Sequence, residues 1–436
     1  MRETVQPAEP PNKGPRRWII VGNGMAGHRL LNTLRARCRL DVQITLIGEE
    51  HAAAYNRVLL SPWLAGEIAR PALALEIAET RGNVSVSERL GQRVTAIDRT
   101  AREVTLETGE RLAYDRLILA TGSRSAMPQV PGIELGNVGT FRNLDDADWL
   151  AAQPPGRQAI VVGGGLLGLE AAEGLRRRGL EVTLLQRSER LMNRQLDRTA
   201  ADWLAQTLAR RGLTLMTGAT LARCDGDAAG NVCAVTLADG RRLAADCVVI
   251  AAGIEAHSEL GRRAGLDVAR GIRVDAHLTT SDPHIHALGE CCEFEGDTVG
   301  LVEPIWQQVE VLAAHLCADA PGQATTPGYV RRDCATRLKV AGVSLYAFGP
   351  AEAEDAATEV LTYADAEHGD YRRLLLRDSR LIGALLYGDT AAGPALFALA
   401  QAATPLPPCR EALLFGPRDI ERHLATEAQP TQEEAA

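Results

Sequence analysis

The sequence predicts an α/β protein in which two similar strand–loop–helix–strand units are followed by a small α+β domain. The stretch RWIIVGNGMAGHRLLNTLRARCRLDVQITLIGEE gives an apolar strand, a glycine loop, an amphipathic helix and a second strand, and residues 158–190 repeat this pattern. The first loop glycines, Gly22 and Gly163, are 141 residues apart. This separation is too long for a solenoid repeat and fits one domain inserted in another.

The composition limits the class of protein. A chain of 436 residues with 46% hydrophobic and 24% charged residues has room for two or three domains. A net charge of −9 argues against nucleic acid and against an anionic membrane as the main partner. The sequence contains no apolar run of about 18 residues, as a membrane span requires. Its polar, proline-rich start, MRETVQPAEPPNKGPRR, predicts a disordered arm rather than a signal peptide, so we expect a cytoplasmic protein.

The first glycine loop has the pattern that binds a dinucleotide. The glycines that fit G-x-G-x-x-G between strand and helix are Gly22, Gly24 and Gly27. They provide a tight turn, a close approach to a pyrophosphate and close packing of helix on strand. The helix beginning at Met25 and Ala26 offers free N–H groups to the phosphates. Glu49, 22 residues beyond the last glycine, is placed to accept hydrogen bonds from ribose hydroxyls.

The second loop repeats this pattern but lacks the acid. Its residues are Gly163, Gly165 and Gly168, with Leu166, Leu167 and Glu170 on the helix that follows. A carboxylate after the next strand selects a free 2′-hydroxyl, whereas an arginine can pair with a 2′-phosphate. Gln186 and Arg187 stand there, with Arg190 close by, so the loop permits NADPH and does not forbid NADH. The alternative is that both arginines are solvated surface charges.

The rest of the chain follows the same duplication. A β-hairpin region and a short apolar strand follow each unit, at 115–123 and at 246–254, and the second strand ends at the turn glycine Gly253. Proline- and glycine-rich joints mark the entry into the second domain. The predicted segments are a disordered arm 1–16, a first domain 17–130 and 256–322, an inserted domain 131–255, a C-terminal α+β domain 323–420 and a disordered tail 421–436.

Further motifs carry a family resemblance. AYNRVLLSPWLAGE, ATG, ALGECCEFEG, GLVEPIWQQVEVLAAHL and RLKVAGVSLYAFG occur in this order along the chain. With the doubled glycine loops, they resemble the flavoproteins with two dinucleotide-binding domains, which include glutathione reductase. They are most similar to the N-terminal region of the NAD(P)H nitrite reductase large subunit and to electron-transfer subunits of assimilatory nitrate reductase. The similarity runs from about residue 17 to residue 416.

The resemblance implies that the first domain binds FAD and that the inserted domain binds NADH or NADPH. It implies that Arg57 pairs with the FAD pyrophosphate, that Val94 meets the adenine through its backbone and that Glu290 binds the ribityl chain. The alternatives are a surface ion pair for Arg57 and a turn acid for Glu290. The other residues that it places along FAD are Ala120, Thr121, Gly122 and Gly289. A helix beginning near Pro304 is expected to stabilise negative charge on the flavin through its N-terminus.

The chain departs from such relatives in three respects. Disulfide reductases carry a C-x-x-x-x-C pair where this chain has NRVLLSPWL, which excludes a dithiol relay and a disulfide substrate. Some ferredoxin reductases have a lysine where this chain has Pro62, which argues against a lysine–glutamate pair at the flavin. The sequence ends soon after LLFGP without the cysteine-rich segments of nitrite reductase. We therefore expect a separate electron-transfer module that does not itself reduce nitrite.

No metal site is expected. The nine cysteines lack zinc or iron–sulfur spacing and are predicted to be reduced, mostly buried thiols. His284 and His286 have a spacing that a metal could use on a strand, but no further ligand cluster accompanies them. His28 is expected to cap the first helix or to face solvent.

The leading hypothesis is an FAD-dependent NAD(P)H oxidoreductase that passes electrons to a separate protein, first of all a nitrate or nitrite reductase component. A ferredoxin or rubredoxin reductase is the enzyme alternative, and Arg331, Arg332 and Arg337, or Arg176–Arg178, would then form a basic docking face. A NAD(P)H-responsive flavoprotein binding module is the non-enzymatic alternative. Because the flavin carries the chemistry, no catalytic side chain is predicted. The sequence leaves a homo-oligomer open.

Overall fold

The computed structural model describes residues 14–79, 83–318, 327–340, 342–353, 355–406 and 410–415. The predicted tail and all but the last three residues of the predicted arm lie outside these ranges. Two compact units contain the described residues. The first unit comprises Met1–Arg57, Arg70–Arg124 and Ile254–Arg331, and the second comprises Val58–Ala69, Ser125–Gly253 and Arg332–Ala436. The predicted domain limits remain a proposal.

The helices and strands follow one another in the order that the sequence predicts. The α-helices are α1 Met25–Arg37, α2 Leu60–Leu64, α3 Leu144–Ala151, α4 Leu166–Arg177, α5 Arg198–Arg210, α6 Glu259–Arg263, α7 Val302–Cys317 and α8 Gly393–Ala402. Short 3-10 helices are Arg57–Leu59, Arg70–Leu73, Gly289–Cys291 and Arg410–Leu414.

The described residues also form 26 β-strands. The strands before residue 200 are β1 Arg16–Val21, β2 Val42–Ile47, β3 Val84–Arg89, β4 Val94–Asp98, β5 Glu103–Leu106, β6 Arg111–Ala113, β7 Arg116–Leu119, β8 Ser123–Ser125, β9 Val138–Thr140, β10 Gln158–Val162 and β11 Glu181–Gln186. The later strands are β12 Thr214–Thr217, β13 Leu221–Gly226, β14 Val232–Leu237, β15 Arg242–Ala244, β16 Cys247–Ile250, β17 Ile254–Ala256, β18 Ile272–Arg273, β19 Ile285–Ala287, β20 Cys292–Phe294, β21 Asp297–Thr298, β22 Thr336–Val340, β23 Val343–Phe348, β24 Glu359–Asp365, β25 Asp370–Arg377 and β26 Arg380–Tyr387.

The first unit is built on a parallel sheet of order β19-β7-β1-β2-β3. One face packs on α1 and α7 through a core that includes Trp18, Leu30 and Leu312. The opposite face packs on the antiparallel sheet β4-β5-β6 through Ile19 and Val104. A parallel strand covered on both faces must be apolar throughout, which explains the uninterrupted run WIIV in β1.

The second unit repeats this plan and adds the C-terminal sheet. Its parallel sheet has the order β12-β11-β10-β16-β9, and β13-β14-β15 form a separate antiparallel sheet. The C-terminal sheet, β22-β23-β26-β25-β24, is antiparallel and packs on α8. Strand β25 of this sheet is joined to the start of α5 by Asp197, which caps α5 and accepts hydrogen bonds from Tyr371 and Arg373.

Within the ranges given above, no helix is both long and apolar enough to span a membrane.

The expectation that His28 caps the first helix or faces solvent is wrong, because this residue is only 4% exposed. The segment around Glu76 covers this part of α1, where Asn32 donates a hydrogen bond to the Glu76 carbonyl oxygen. Burial lowers the pKa of His28.

Candidate functional site

The first glycine loop joins the end of β1 to the start of α1. Gly22 has a φ of +117°, and a β-carbon there would lie 2.1 Å from the Ala120 carbonyl oxygen, just beyond β7. A β-carbon on Gly27 would lie 2.0 Å from the Gly22 carbonyl oxygen. Only glycine at both positions permits this packing of helix, loop and strands.

Gly24 lies in a different environment from the two packed glycines. It precedes α1 with a φ of −78°, and a β-carbon there would meet no atom within 4 Å. The N–H groups of the first helical turn, beginning at Met25 and Ala26, have no acceptor within the helix. The side-chain oxygen of Asn23 is buried without a hydrogen-bond partner in the described part of the chain. An open approach, free N–H groups and an unpaired acceptor fit a phosphate-bearing ligand that also carries hydroxyls.

Acid–arginine pairs lie beyond β2. Glu49 pairs with Arg93, which directly precedes the buried first residue of β4, Val94. Glu50 pairs with Arg57, whose guanidinium lies 5.3 Å from the centre of the Tyr55 ring. The predicted residues Glu49 and Arg57 are therefore both held by charged neighbours that the sequence analysis missed.

The turn after β7 faces the turn after β19. Thr121 Oγ1 donates a hydrogen bond of 2.7 Å to the His257 carbonyl oxygen, and Gly122 has a φ of +70°. Ser123 Oγ donates a hydrogen bond of 2.9 Å to a carboxylate oxygen of Glu290. The structure thus brings together two predicted segments that are separated by about 170 residues in the chain.

Helix α7 begins beside this turn. Its first turn contains the buried Pro304, as predicted from the sequence. Gln308, one turn further along, is 1% exposed and its Oε1 accepts the Gly289 N–H at 2.8 Å. Gly289 has a φ of +81°, and a β-carbon there would lie 3.2 Å from the Ala26 side chain. The starts of α1 and α7 therefore meet the same turn, the one that carries Glu290.

The second glycine loop repeats the geometry of the first. Gly163 has a φ of +121°, and a β-carbon there would lie 2.3 Å from the Ala251 carbonyl oxygen. A β-carbon on Gly168 would lie 1.9 Å from the Gly163 carbonyl oxygen. Gly165 precedes α4, and a β-carbon on it would meet no atom within 4 Å. Helix α4 begins with the half-buried Leu166 and Leu167. Gly253 has a φ of +122°, and a β-carbon on it would also meet no atom within 4 Å.

The residues that end β11 have distinct partners. Gln186 Oε1 accepts the Gly164 N–H at 2.9 Å, so this side chain is part of the loop. Arg190 pairs with Glu352 at 3.1 Å. Arg187 is exposed, and no ion pair involving it is found within the described ranges. The two predicted arginines are therefore not equivalent.

Glu170 is a half-buried acid in the second turn of α4. Its carboxylate accepts a hydrogen bond of 2.5 Å from Ser61 Oγ on α2. Burial raises the pKa of Glu170, and the hydrogen bond from Ser61 opposes that rise. Gly174 allows α2 to approach α4, since a β-carbon there would lie 2.9 Å from the Leu64 side chain.

The two histidines of the H-x-H motif lie in different environments. Among the residues that the structure describes, no group of three or more His, Cys, Asp or Glu side chains is arranged to hold a metal ion. His284 contacts Arg116 at 2.7 Å, whereas His286 is fully buried against His315. No disulfide joins the cysteines that the structure describes.

Two known family models together match most of the chain. Residues 16–314 match the family model of pyridine nucleotide-disulphide oxidoreductases, and residues 335–401 match the rubredoxin NAD+ reductase C-terminal domain. The chain belongs to the pyridine nucleotide-disulphide oxidoreductase family. The predictions of this family relationship and of the α/β fold class are confirmed.

Individual relatives agree with the family assignment. The NAD(P)H nitrite reductase of Bacillus subtilis (strain 168) is 36% identical over 89% of this chain and 47% of its own length. The assimilatory nitrate reductase electron transfer subunit of the same organism is 35% identical over 86% of this chain and 48% of its own length. The chain spans about half the length of these two relatives. The crystal structure of a covalent putidaredoxin reductase–putidaredoxin complex superposes with a TM-score of 0.81 at 26% identity, over 96% of this chain and 100% of that chain.

Proposed function

We propose that this protein is an FAD-dependent oxidoreductase that takes electrons from NADH or NADPH and passes them to a separate redox protein. The observation that carries this proposal is the pair of loops in which the middle glycine, Gly24 or Gly165, has open space at a helix N-terminus. Each loop suits one pyrophosphate. Two such loops in one chain therefore suit a resident flavin nucleotide and a nicotinamide nucleotide.

The residues of the first unit fit FAD. Glu49 would accept ribose hydroxyls, and Arg57 would pair with the pyrophosphate beside the start of α1. Glu290, which Ser123 holds, would accept hydroxyls of the ribityl chain. The remaining predicted contacts are those of Gly22, Met25, Ala26, Gly27, Val94, Ala120, Thr121, Gly122 and Gly289. Bound FAD supplies the capacity to accept a hydride and to release electrons singly or in pairs.

Helix α7 would tune this chemistry electrostatically. The N-terminus of a helix carries partial positive charge, which stabilises negative charge nearby. Gln308 fixes the position of this N-terminus by accepting the Gly289 N–H, and Pro304 in the first turn sacrifices no intrahelical hydrogen bond. No side-chain acid or base is required for hydride transfer.

The nicotinamide nucleotide would occupy the second unit. Its pyrophosphate would lie over Gly165, with Gly163, Leu166, Leu167, Gly168 and Gly253 around it. Glu170, Gln186 and Arg187 would flank the bound nucleotide. Because the sequence has no cysteine between Cys38 and Cys224, residues 57–64 offer no thiol pair to accept electrons. We infer that the acceptor is another protein.

A nitrate or nitrite reductase component is the first candidate acceptor. Both Bacillus subtilis relatives support it, because their similarity extends over most of this chain. A ferredoxin- or rubredoxin-type carrier is the second candidate, which the match of residues 335–401 and the putidaredoxin reductase structure favour. Three of the six arginines suggested for carrier docking already form ion pairs: Arg176 and Arg177 pair with Glu173, and Arg331 pairs with Asp297.

Electron delivery to defined acceptors separates these candidates. The FAD-loaded protein would be mixed with NADPH or NADH and with a nitrate reductase catalytic subunit, a ferredoxin or a rubredoxin. We expect rapid reduction of the nitrate reductase and slow reduction of the small carriers. Fast reduction of a ferredoxin alone would contradict the first candidate. Slow flavin reduction with a long-lived nucleotide complex, and no turnover with an artificial acceptor, would support the binding-module alternative.

We also propose a cytoplasmic location. Free thiols are typical of reducing compartments, and the described cysteines are unpaired by disulfides. Fractionation of the native host, with the protein followed by antibody, tests this location; recovery in a membrane or secreted fraction would contradict it.

A further inference from the structure

We propose that this protein prefers NADPH to NADH and that Arg187 is the residue that binds the 2′-phosphate. The inference rests on the proposed function, in which the second glycine loop holds the nicotinamide nucleotide. The evidence for it is that the five consecutive polar residues 186–190, at the end of β11 and just after it, have different environments. Glu352, from the C-terminal part of the same unit, contributes to one of them.

Gln186 places a neutral amide where an NADH-selective loop would have a carboxylate. Its Oε1 accepts the Gly164 N–H at 2.9 Å, and its Nε2 donates to Ser188 Oγ and to the Arg190 carbonyl oxygen at 3.3 Å. The amide is thus fixed within the loop by three hydrogen bonds. It carries no negative charge that would repel a 2′-phosphate.

Arg190 is already neutralised. Its guanidinium lies 3.1 Å from one carboxylate oxygen of Glu352, and the other carboxylate oxygen of Glu352 lies 2.8 Å from Arg373. Arg373 in turn pairs at 3.1 Å with Asp197, which is only 4% exposed. This chain of alternating charges fixes Arg190 toward the C-terminal sheet. Its use by a ligand would require breaking the pair with Glu352.

Arg187 is the cation that remains available. It directly follows Gln186, its side chain is exposed, and no acid pairs with it in the described portion of the structure. A guanidinium pairs with phosphate oxygens in a bidentate geometry that a ribose hydroxyl cannot reproduce. In dinucleotide folds an arginine near this strand end accommodates a 2′-phosphate.

Glu189 is the one acid in the stretch 186–190, and it provides the competing explanation. A β-carbon on Gly218 would lie 3.1 Å from Glu189 Oε1, so this carboxylate is directed toward the turn after β12. If Glu189 instead bound ribose hydroxyls, the chain would prefer NADH. Replacement of Glu189 by glutamine would then weaken NADH use and improve NADPH use, because it removes a charge that repels the 2′-phosphate.

The test combines kinetics with binding of nucleotide fragments that cannot donate hydride. The FAD-loaded protein and its Arg187→Ala, Arg190→Ala and Glu189→Gln variants would be assayed for kcat/KM with NADPH and NADH. Titration calorimetry would compare 2′,5′-ADP with 5′-AMP. Flavin content and thermal unfolding would confirm that each variant is folded.

We expect the unmodified protein to favour NADPH and to bind 2′,5′-ADP more tightly than 5′-AMP. Two ratios measure this preference: kcat/KM with NADPH over kcat/KM with NADH, and the affinity for 2′,5′-ADP over that for 5′-AMP. Loss of a charge-assisted hydrogen bond in Arg187→Ala should lower both ratios about 10- to 100-fold, the kinetic one mainly through KM. Arg190→Ala should leave both ratios close to those of the unmodified protein. A preference for NADH, or ratios unmoved by Arg187→Ala, would overturn the inference while leaving the proposed function intact. If neither nucleotide reduced the flavin and neither fragment bound, the proposed function itself would fail.

Discussion

Gly168 approaches Gly163 so closely that a β-carbon on Gly168 would lie 1.9 Å from the Gly163 carbonyl oxygen. Gly165 lies between them in the same loop, and a β-carbon on Gly165 would meet no atom within 4 Å. The first loop shows the same contrast between Gly27 and Gly24. In both loops, therefore, the outer glycines serve packing, and the middle glycine leaves room for a ligand. This division makes the two roles separable by single substitutions.

In the first loop, Gly24→Ala should fold normally and lose FAD. Its φ of −78° suits alanine, and the added methyl group would occupy only the space over the helix N-terminus. Gly27→Ala should instead destabilise the protein by about 1–3 kcal/mol or more, because the methyl group meets backbone. Flavin content and thermal unfolding distinguish the two effects. Normal FAD binding by Gly24→Ala would contradict the proposed position of the pyrophosphate.

In the second loop, Gly165→Ala should keep FAD and weaken the use of NAD(P)H. The methyl group should displace the pyrophosphate from the N–H groups of α4, which we expect to raise KM by about tenfold or more. Gly24→Ala is the reciprocal control, since it should lose flavin while retaining nucleotide-fragment binding. Flavin loss from Gly165→Ala with unchanged nucleotide-fragment binding would show that the two cofactors are assigned to the wrong loops.

The sequence predicted the elements that depend on local pattern and missed those that depend on distant contacts. Both glycine loops, the apolar strands and the helix near Pro304 follow from spacing and hydrophobicity, although α7 begins two residues earlier, at Val302. Ser61 and Glu170 are 109 residues apart, and Arg190 and Glu352 are also distant, so no local signal connects them. The error for His28 has the same origin, because the covering segment around Glu76 lies far along the chain. Arg93 was missed because an arginine before a strand has no distinguishing pattern.

Glu170 should make stability depend on pH. Burial raises its pKa above the ordinary value of 4.5, so the folded protein binds this proton more tightly than the unfolded chain. The free energy of unfolding should therefore fall as pH rises from about 4.5 through the folded-state pKa, and this contribution should level off above it. Glu170→Gln retains a partner for Ser61 and removes the ionisation. Urea unfolding at a series of pH values should show a flatter profile for this variant; parallel profiles would contradict the assignment.

His286 should have the opposite effect on acid stability. Burial, together with the smaller effects of the nearby His315, Arg116 and His284, lowers its pKa from 6.5 to about 3. The unfolded chain then binds this proton more tightly, so stability should rise between about pH 3 and pH 6.5 and stay level above that range. The contribution between pH 5 and pH 7 is about 2 kcal/mol. In chemical unfolding of His286→Leu, the free energy of unfolding should differ less between pH 5 and pH 7 than in the unmodified protein. An equal difference in the two proteins would contradict this role of His286.

Reduction of bound flavin by NADPH tests the central claim most directly. The purified protein, reconstituted with FAD, would be mixed anaerobically with NADPH in a stopped-flow instrument while the visible absorption of the flavin is followed. We expect loss of the oxidised-flavin absorption at a rate within the usual catalytic range of about 1–10³ s⁻¹, and repeated turnover when an artificial acceptor is added. A protein that bound no FAD, or whose bound flavin stayed oxidised with both NADPH and NADH, would contradict it.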